Sequence, residues 1–278
     1  MPLLSKTLWF SLLASALVLG AACQPAATSD PRSPGDSAQQ SRKEEPQAVE
    51  SKAADPASDS TVNQANHQPV GAEAAPVDLT RYYSLKASAF DGSTRYPWPA
   101  VPRGPHTFAN VPVEIGGAIF LWGERNAKAG LKYPEEVKGI PIQRRFETLY
   151  VCHAAFYEGK AGTPMYEARF QYDDGTSASD VILCGDDARD WFANRAEEEL
   201  GPSAPRSMLA WDGDAKVGDR IQAICFCLTA ISNPHPEKVV MAIDFVSSKT
   251  QTASCILAVT TGKAGLMQKT KATQASDE

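Results

Sequence analysis

The stretch Tyr166-Glu167-Ala168-Arg169-Phe170-Gln171-Tyr172, followed by Asp173-Asp174-Gly175 and then by Ala178-Ser179-Asp180-Val181-Ile182-Leu183-Cys184, decides the fold. Apolar and polar residues alternate along these arms, which are rich in aromatic and β-branched side chains, the pattern of half-buried strands. Gly175 accepts the positive φ of a tight turn, so the two arms are predicted to pair as an antiparallel hairpin.

Similar short runs surround this hairpin: Val111 to Ile115, Ala118 to Trp122, Thr148 to Phe156, Arg220 to Ile231, Val239 to Val246 and Ser254 to Thr260. One helix is predicted from about Asp187 to Leu200. Asp186 or Asp187 would cap it, Ala188, Trp191, Phe192 and Ala196 would line neighbouring positions, and Gly201-Pro202 would stop it. Many short strands with a single helical excursion predict an all-β chain folded as a two-sheet sandwich.

The N-terminal end carries different information. Lys6 and the apolar or small run from Leu8 to Ala22 read as a signal peptide over residues 1–22, too short for the roughly 20 apolar residues of a spanning helix. Leu19-Gly20-Ala21-Ala22 before Cys23 resembles a bacterial lipobox, with its leucine one position further from the cysteine than usual. Cleavage before Cys23 and acylation of its thiol are therefore expected, at about 0.8 kcal/mol of membrane affinity per buried methylene. Gln24 stands where an inner-membrane retention signal would have aspartate, so an outer-membrane anchor is the expectation. Residues 23–76 are rich in Ala, Ser, Pro and Gln, and no aromatic residue lies between Phe10 and Tyr82. Such a segment buries too little apolar surface to offset its conformational entropy and is expected to be a disordered tether, with a reach on the order of 40 Å. One domain is expected from Val77 to Met267, followed by a polar tail over residues 268–278. The formal net charge of −6 and the scattered basic residues argue against a nucleic-acid partner.

Several phrases in order resemble a family of exported, largely uncharacterised bacterial domains. They are Pro102-Arg103-Gly104, Phe108-Ala109-Asn110-Val111-Pro112-Val113, Lys138-Gly139-Ile140-Pro141-Ile142, Leu149-Tyr150-Val151-Cys152-His153-Ala154, Tyr172-Asp173-Asp174-Gly175, Gly185 to Trp191, Asn233-Pro234-His235-Pro236 and Ile243 to Ser247. The resemblance implies a jelly-roll sandwich similar to galactose-binding-like domains and carbohydrate-binding modules; it implies no activity. This chain departs from the family in carrying Cys152, Cys184, Cys225, Cys227 and Cys255 where apolar or aromatic residues are more usual.

Those five cysteines read as buried small hydrophobes, or for one pair as a bridge between neighbouring strands. Cys225 and Cys227 share one strand face about 6.8 Å apart by strand rise, too far for an easy bridge. Asp186, Asp187 and Asp190 support the local structure by capping and pairing with Arg189, or else form a candidate calcium site, since calcium takes hard oxygen ligands. His153 and His235 are candidate acid-base groups with an aspartate such as Asp244, but nucleophile-elbow, zinc-protease and phosphate-loop motifs are absent. Sugars stack on aromatic faces and bond planar polar groups, which makes Trp98 in a proline-rich loop, and Trp211 beside Asp212, the candidate ligand-binding residues. Trp122 and Trp191 read as core.

The expected protein is thus an exported, lipid-anchored envelope component bearing a non-catalytic, carbohydrate-binding-like module. A structural or protein-interaction module of the envelope is the alternative, and a hydrolase a second one.

Overall fold

The computed structural model describes residues 73–92, 98–194, 199–217 and 220–268. The signal peptide, Cys23 and all but the last residues of the expected tether lie outside them, as does the chain after Gln268. The strands are β1 (Ala74–Pro76), β2 (Leu85–Lys86), β3 (Gly104–Phe108), β4 (Val111–Ile115), β5 (Gly117–Phe120), β6 (Glu136–Arg144), β7 (Thr148–Phe156), β8 (Pro164–Tyr172), β9 (Ser177–Leu183), β10 (Phe192–Ala193), β11 (Ser207–Val217), β12 (Arg220–Ser232), β13 (Val240–Ser247) and β14 (Ala253–Gly262). Between β5 and β6 lies one short helix, α1 (Glu124–Lys128).

The domain is an all-β sandwich. Its larger sheet runs β10-β12-β7-β14-β5-β2, with β1 joined to β14 and β11 joined to β12; the smaller runs β6-β13-β8-β9. The pairings are antiparallel, and β3 and β4 form a separate hairpin. The chain changes sheets between β6 and β7, back between β7 and β8, again between β9 and β10, and twice more at β13, so residues far apart in sequence become neighbours across the core.

The decisive hairpin forms between β8 and β9, with Phe170 opposite Ala178 and Gly175 at φ 79°. Asp174 stabilises the turn by accepting from the amide and hydroxyl of Thr176, and Lys238 Nζ reaches its other oxygen at 2.8 Å. The β3–β4 turn is tighter. Ala109 and Asn110 both have positive φ, the geometry of a two-residue type I′ turn, without the glycine that would have announced it.

Alternating side chains on the large sheet serve two cores. Val151, Ala155, Cys227, Ile256 and Val259 face the small sheet's Ile140, Phe170, Ile243 and Phe245. Tyr150, Cys152, Phe156, Phe226 and Cys255 face the other way, where the β3–β4 hairpin and the turn around Trp98 cover them. For this reason β7 and β14 are buried at every position and read as continuous apolar runs. Each Phe or Ile so removed from water contributes about 1.5–3 kcal/mol.

Two expectations require correction. The helix placed from Asp187 to Leu200 is not there among the described residues; Arg195 to Glu198 lie outside them. Gly185 to Asp187 form a turn, Ala188 and Asp190 make single bridges to Cys184 and Ala155, and Phe192–Ala193 pair with β12 as β10. The Asp187 carboxylate bonds backwards to the amide of Leu183 rather than forwards to a first helical turn, so nothing caps a helix there. Strand pairing among the described residues also starts before Val77. Ala74–Pro76, at the end of the expected tether, pair with β14 as β1.

Candidate functional site

The most concentrated polar chemistry in the domain lies inside it, between the sheets. His153 is an odd-numbered residue of β7 and therefore faces the small sheet, as Val151 and Ala155 do. Nothing of it reaches solvent. Its Nδ1 lies 2.8 Å from the hydroxyl of Tyr166 on β8, and its Nε2 lies 2.8 Å from Oγ1 of Thr229 on β12. Thr229 donates to the main-chain carbonyl of Asp187 at 3.0 Å, and Ser207 at the head of β11 donates to Oδ1 of Asp187 at 3.1 Å. The two hydroxyls are themselves 2.9 Å apart.

Proton accounting orders this chain. With the hydroxyl protons of Thr229 and Ser207 directed at Asp187, Thr229 Oγ1 accepts from the imidazole. The ring proton therefore sits on Nε2, and Nδ1 accepts from Tyr166. Burial pushes the imidazole down to about 4, against a smaller upward pull from Asp187, so His153 is neutral at pH 7.

The chain ends on charge. Arg206 grips Asp187 with two bonds, Nε to Oδ1 at 2.7 Å and Nη2 to Oδ2 at 2.8 Å, and also reaches Asp180 and the carbonyl of Val181. Burial raises the Asp187 carboxyl, but its bonds from Arg206 and from the Leu183 amide outweigh this and hold it below the usual range. The Asp187 bond in turn holds Arg206 above its ordinary value. A buried carboxylate is thus paired and fully hydrogen-bonded, as its burial requires.

Serine, histidine and aspartate meet here without the geometry of nucleophilic catalysis. A nucleophile must hydrogen-bond the imidazole that takes its proton, whereas Ser207 bonds Thr229 and Asp187. His153 spends both nitrogens on Tyr166 and Thr229. Asp244, the carboxylate considered as a partner for it, lies on the opposite, outward face of the small sheet, bonded to the Gly139 amide and to Gln171. His235 is part-exposed, 3.5 Å from Glu237, and packs edge-on to Tyr172. The Asn233-Pro234-His235-Pro236 phrase has a structural role: Asn233 accepts from Tyr172 and from the His235 amide, and donates to the Phe146 carbonyl.

The sequence-predicted ligand residues are dispersed. Trp98 is 1 % exposed and stacks on Phe90 and Trp191, so it is core, not a loop platform. Trp211 is half-buried on β11, stacked on Phe226, and its ring covers Gly213, where an added Cβ would lie 2.6 Å from the indole. Asp212 adjoins Trp211 in sequence, but strand alternation turns it to the other face, beside Cys225. The pair cannot grasp one sugar together.

Asp186, Asp187 and Asp190 likewise serve different partners. Asp186 accepts from Ser203, Asp187 holds Arg206, and Asp190 accepts from the amides of Glu158 and Phe192. Among the described residues no group of three or more His, Cys, Asp or Glu side chains is disposed to hold a metal ion, so the calcium site expected as one reading of these aspartates does not assemble. The five domain cysteines are free and buried. Burial pushes the thiols of Cys152, Cys225 and Cys255 up, and that of Cys227 up to about 11. The Arg206 and Ser207 positions were missed by sequence reading, an arginine and serine opening a strand being their only local signal, while Asp187 was singled out as a helix cap or calcium ligand and not as the partner of Arg206.

Compared with protein-family models, curated proteins and solved structures, the chain matches none of them, and its own geometry carries the functional argument.

Proposed function

We propose that this chain is an exported, lipid-anchored envelope protein whose sandwich domain binds a carbohydrate without performing chemistry on it. The observation that carries the reading is a row of planar polar side chains on the outward face of the small sheet. Glu167, Arg169 and Gln171 alternate along β8, with Asp244 of β13 opposite Arg169 on one side and Ser179 of β9 opposite it on the other. Arg169 Nε bonds Glu167 at 2.9 Å, and Gln171 donates to Asp244 at 2.9 Å, which holds the row flat. Planar polar groups of this kind can fix the orientation of sugar hydroxyls. The acyl anchor on Cys23 and the tether would present this face above the membrane.

Polysaccharide pull-down with the full chain tests the reading. Retention on a glycan that is lost in the double variant Arg169→Ala, Gln171→Ala, with unchanged thermal unfolding, supports it; retention on no glycan sinks it.

A protein-interaction module is the second reading, favoured by β11. Among the described residues no strand pairs with its outer side, and Met208, Leu209, Ala210 and Trp211 are only half-buried. Crosslinking in cells separates the two, because this reading requires a protein partner that survives glycan digestion.

A further inference from the structure

The chain of hydrogen bonds through His153 does more than satisfy buried groups, because it is a polar connection between the two sheets. Tyr166 belongs to the small sheet, His153 and Thr229 to the large one, and Asp187 and Arg206 to the segments that leave β9 and enter β11. Among the described residues Nδ1 of His153 is the one hydrogen-bond partner of the Tyr166 hydroxyl.

We propose that His153 is an acid-sensitive fastener: one proton taken up at Nδ1 breaks the ordered chain and releases the β8–β9 hairpin from β7 and β12. The balance is simple. The proton comes from solvent, Nδ1 changes from acceptor to donor, and the ring gains a positive charge. The Nε2–H bond to Thr229 is unchanged, but Nδ1–H now faces the hydroxyl that had been donating to it, and the Tyr166 hydroxyl proton has no acceptor among the described residues.

The surroundings do not offset the new charge. Facing the imidazole are Tyr166 from β8, Thr229 and Cys227 from β12, and Ser207 from β11; beyond them lie Asp187, Arg206 and, from β9, Asp180. Asp187 favours an imidazolium and Arg206 opposes it, and burial is the largest influence. Release of the hairpin is what lets water reach the ring. The second core, on the far side of the large sheet, contains no part of this chain and is expected to outlast it.

The test is a pH titration of the full chain from 7 to 4. Hydrogen exchange is read by peptide across β8–β9 and across the β3–β4 hairpin, alongside the NMR signals of the His153 ring. The expected result is early loss of protection over residues 164–183, coincident with ring protonation, while the β3–β4 hairpin stays protected. His153→Gln keeps an amide acceptor and donor but cannot titrate, so its β8–β9 protection should persist to at least about one pH unit lower. Identical loss of protection in wild type and His153→Gln overturns the proposal. So does a ring that titrates between pH 6 and 7 with no change in exchange, a result that stands even where the Gln variant fails to fold.

Discussion

The indoles of Trp98 and Trp191 stack 5.1 Å apart at 25°, joining a turn before β3 to the segment before β10. Phe90, Phe120 and Phe156 complete the cluster. Trp98→Ala should therefore cost about 3–5 kcal/mol, as for other fully buried tryptophans. Trp211→Ala, at a half-buried ring, should cost about 1–2 kcal/mol. Urea unfolding of both variants checks the ordering; equal costs would remove Trp98 from the core assigned to it.

Arg206 closes the buried end of the hydrogen-bond chain. Arg206→Met leaves the Asp187 carboxylate with the Leu183 amide and Ser207 alone, and should cost about 3 kcal/mol, the low end for an orphaned buried charge. Adding Asp187→Asn should recover part of that loss. A double-mutant cycle by chemical denaturation measures the coupling, and additive costs would show that the pair is not energetically joined.

Asp187 also sets an acid limit. Its carboxyl is held below its unfolded value, so the unfolded chain binds the proton more readily. The stability it contributes is complete above the unfolded carboxyl pKa of about 3.9 and is lost as pH falls below it. His153 is also depressed, and its contribution is complete above about 6.5 and lost between there and about 4. Acid unfolding of wild type should accordingly begin before Asp187 titrates. Circular dichroism against pH for Asp187→Asn should show the later phase removed and the earlier one kept.

The five domain thiols should be silent toward a thiol reagent in the folded protein and react together on unfolding, because all are buried and unbridged. Mass spectrometry after alkylation with and without denaturant counts them. Rapid labelling of any one in the native state would place it outside the cores.

Ala109 holds φ at 49°, a conformation that costs an L-residue about 1–2 kcal/mol. Ala109→Gly relieves that strain but frees the unfolded chain, for a net gain of about 0.5 kcal/mol. Thermal unfolding should show a rise of a few degrees at most; a fall would mean that Ala109 contributes more by packing than it costs in strain.

The strands legible in sequence were those whose two faces differ, or that are buried throughout. Val111–Ile115 and Thr148–Phe156 form as expected, and the Asp173-Asp174-Gly175 hairpin joins two neighbours of one sheet. β11 escaped because a bulge between Leu209 and Trp211 and the Asp212-Gly213-Asp214 run break the period, and its pairing with β12 supplies what propensity does not. β6 escaped for a similar reason, since Gly139 and Pro141 interrupt an edge strand. The false helix after Asp187 had a cap residue and apolar spacing, but Asp187 found a better partner in Arg206, nineteen residues on in the chain.

The sequence by itself determined that this chain is all-β, because period-two patterning and turn residues act locally. It could not determine that Trp98 is core, that Trp211 and Asp212 part company across a sheet, or that His153, Tyr166, Thr229 and Asp187 meet. Those outcomes depend on which strands the sheet-to-sheet crossings bring together, and hence on contacts between residues that carry no mark of one another in the sequence.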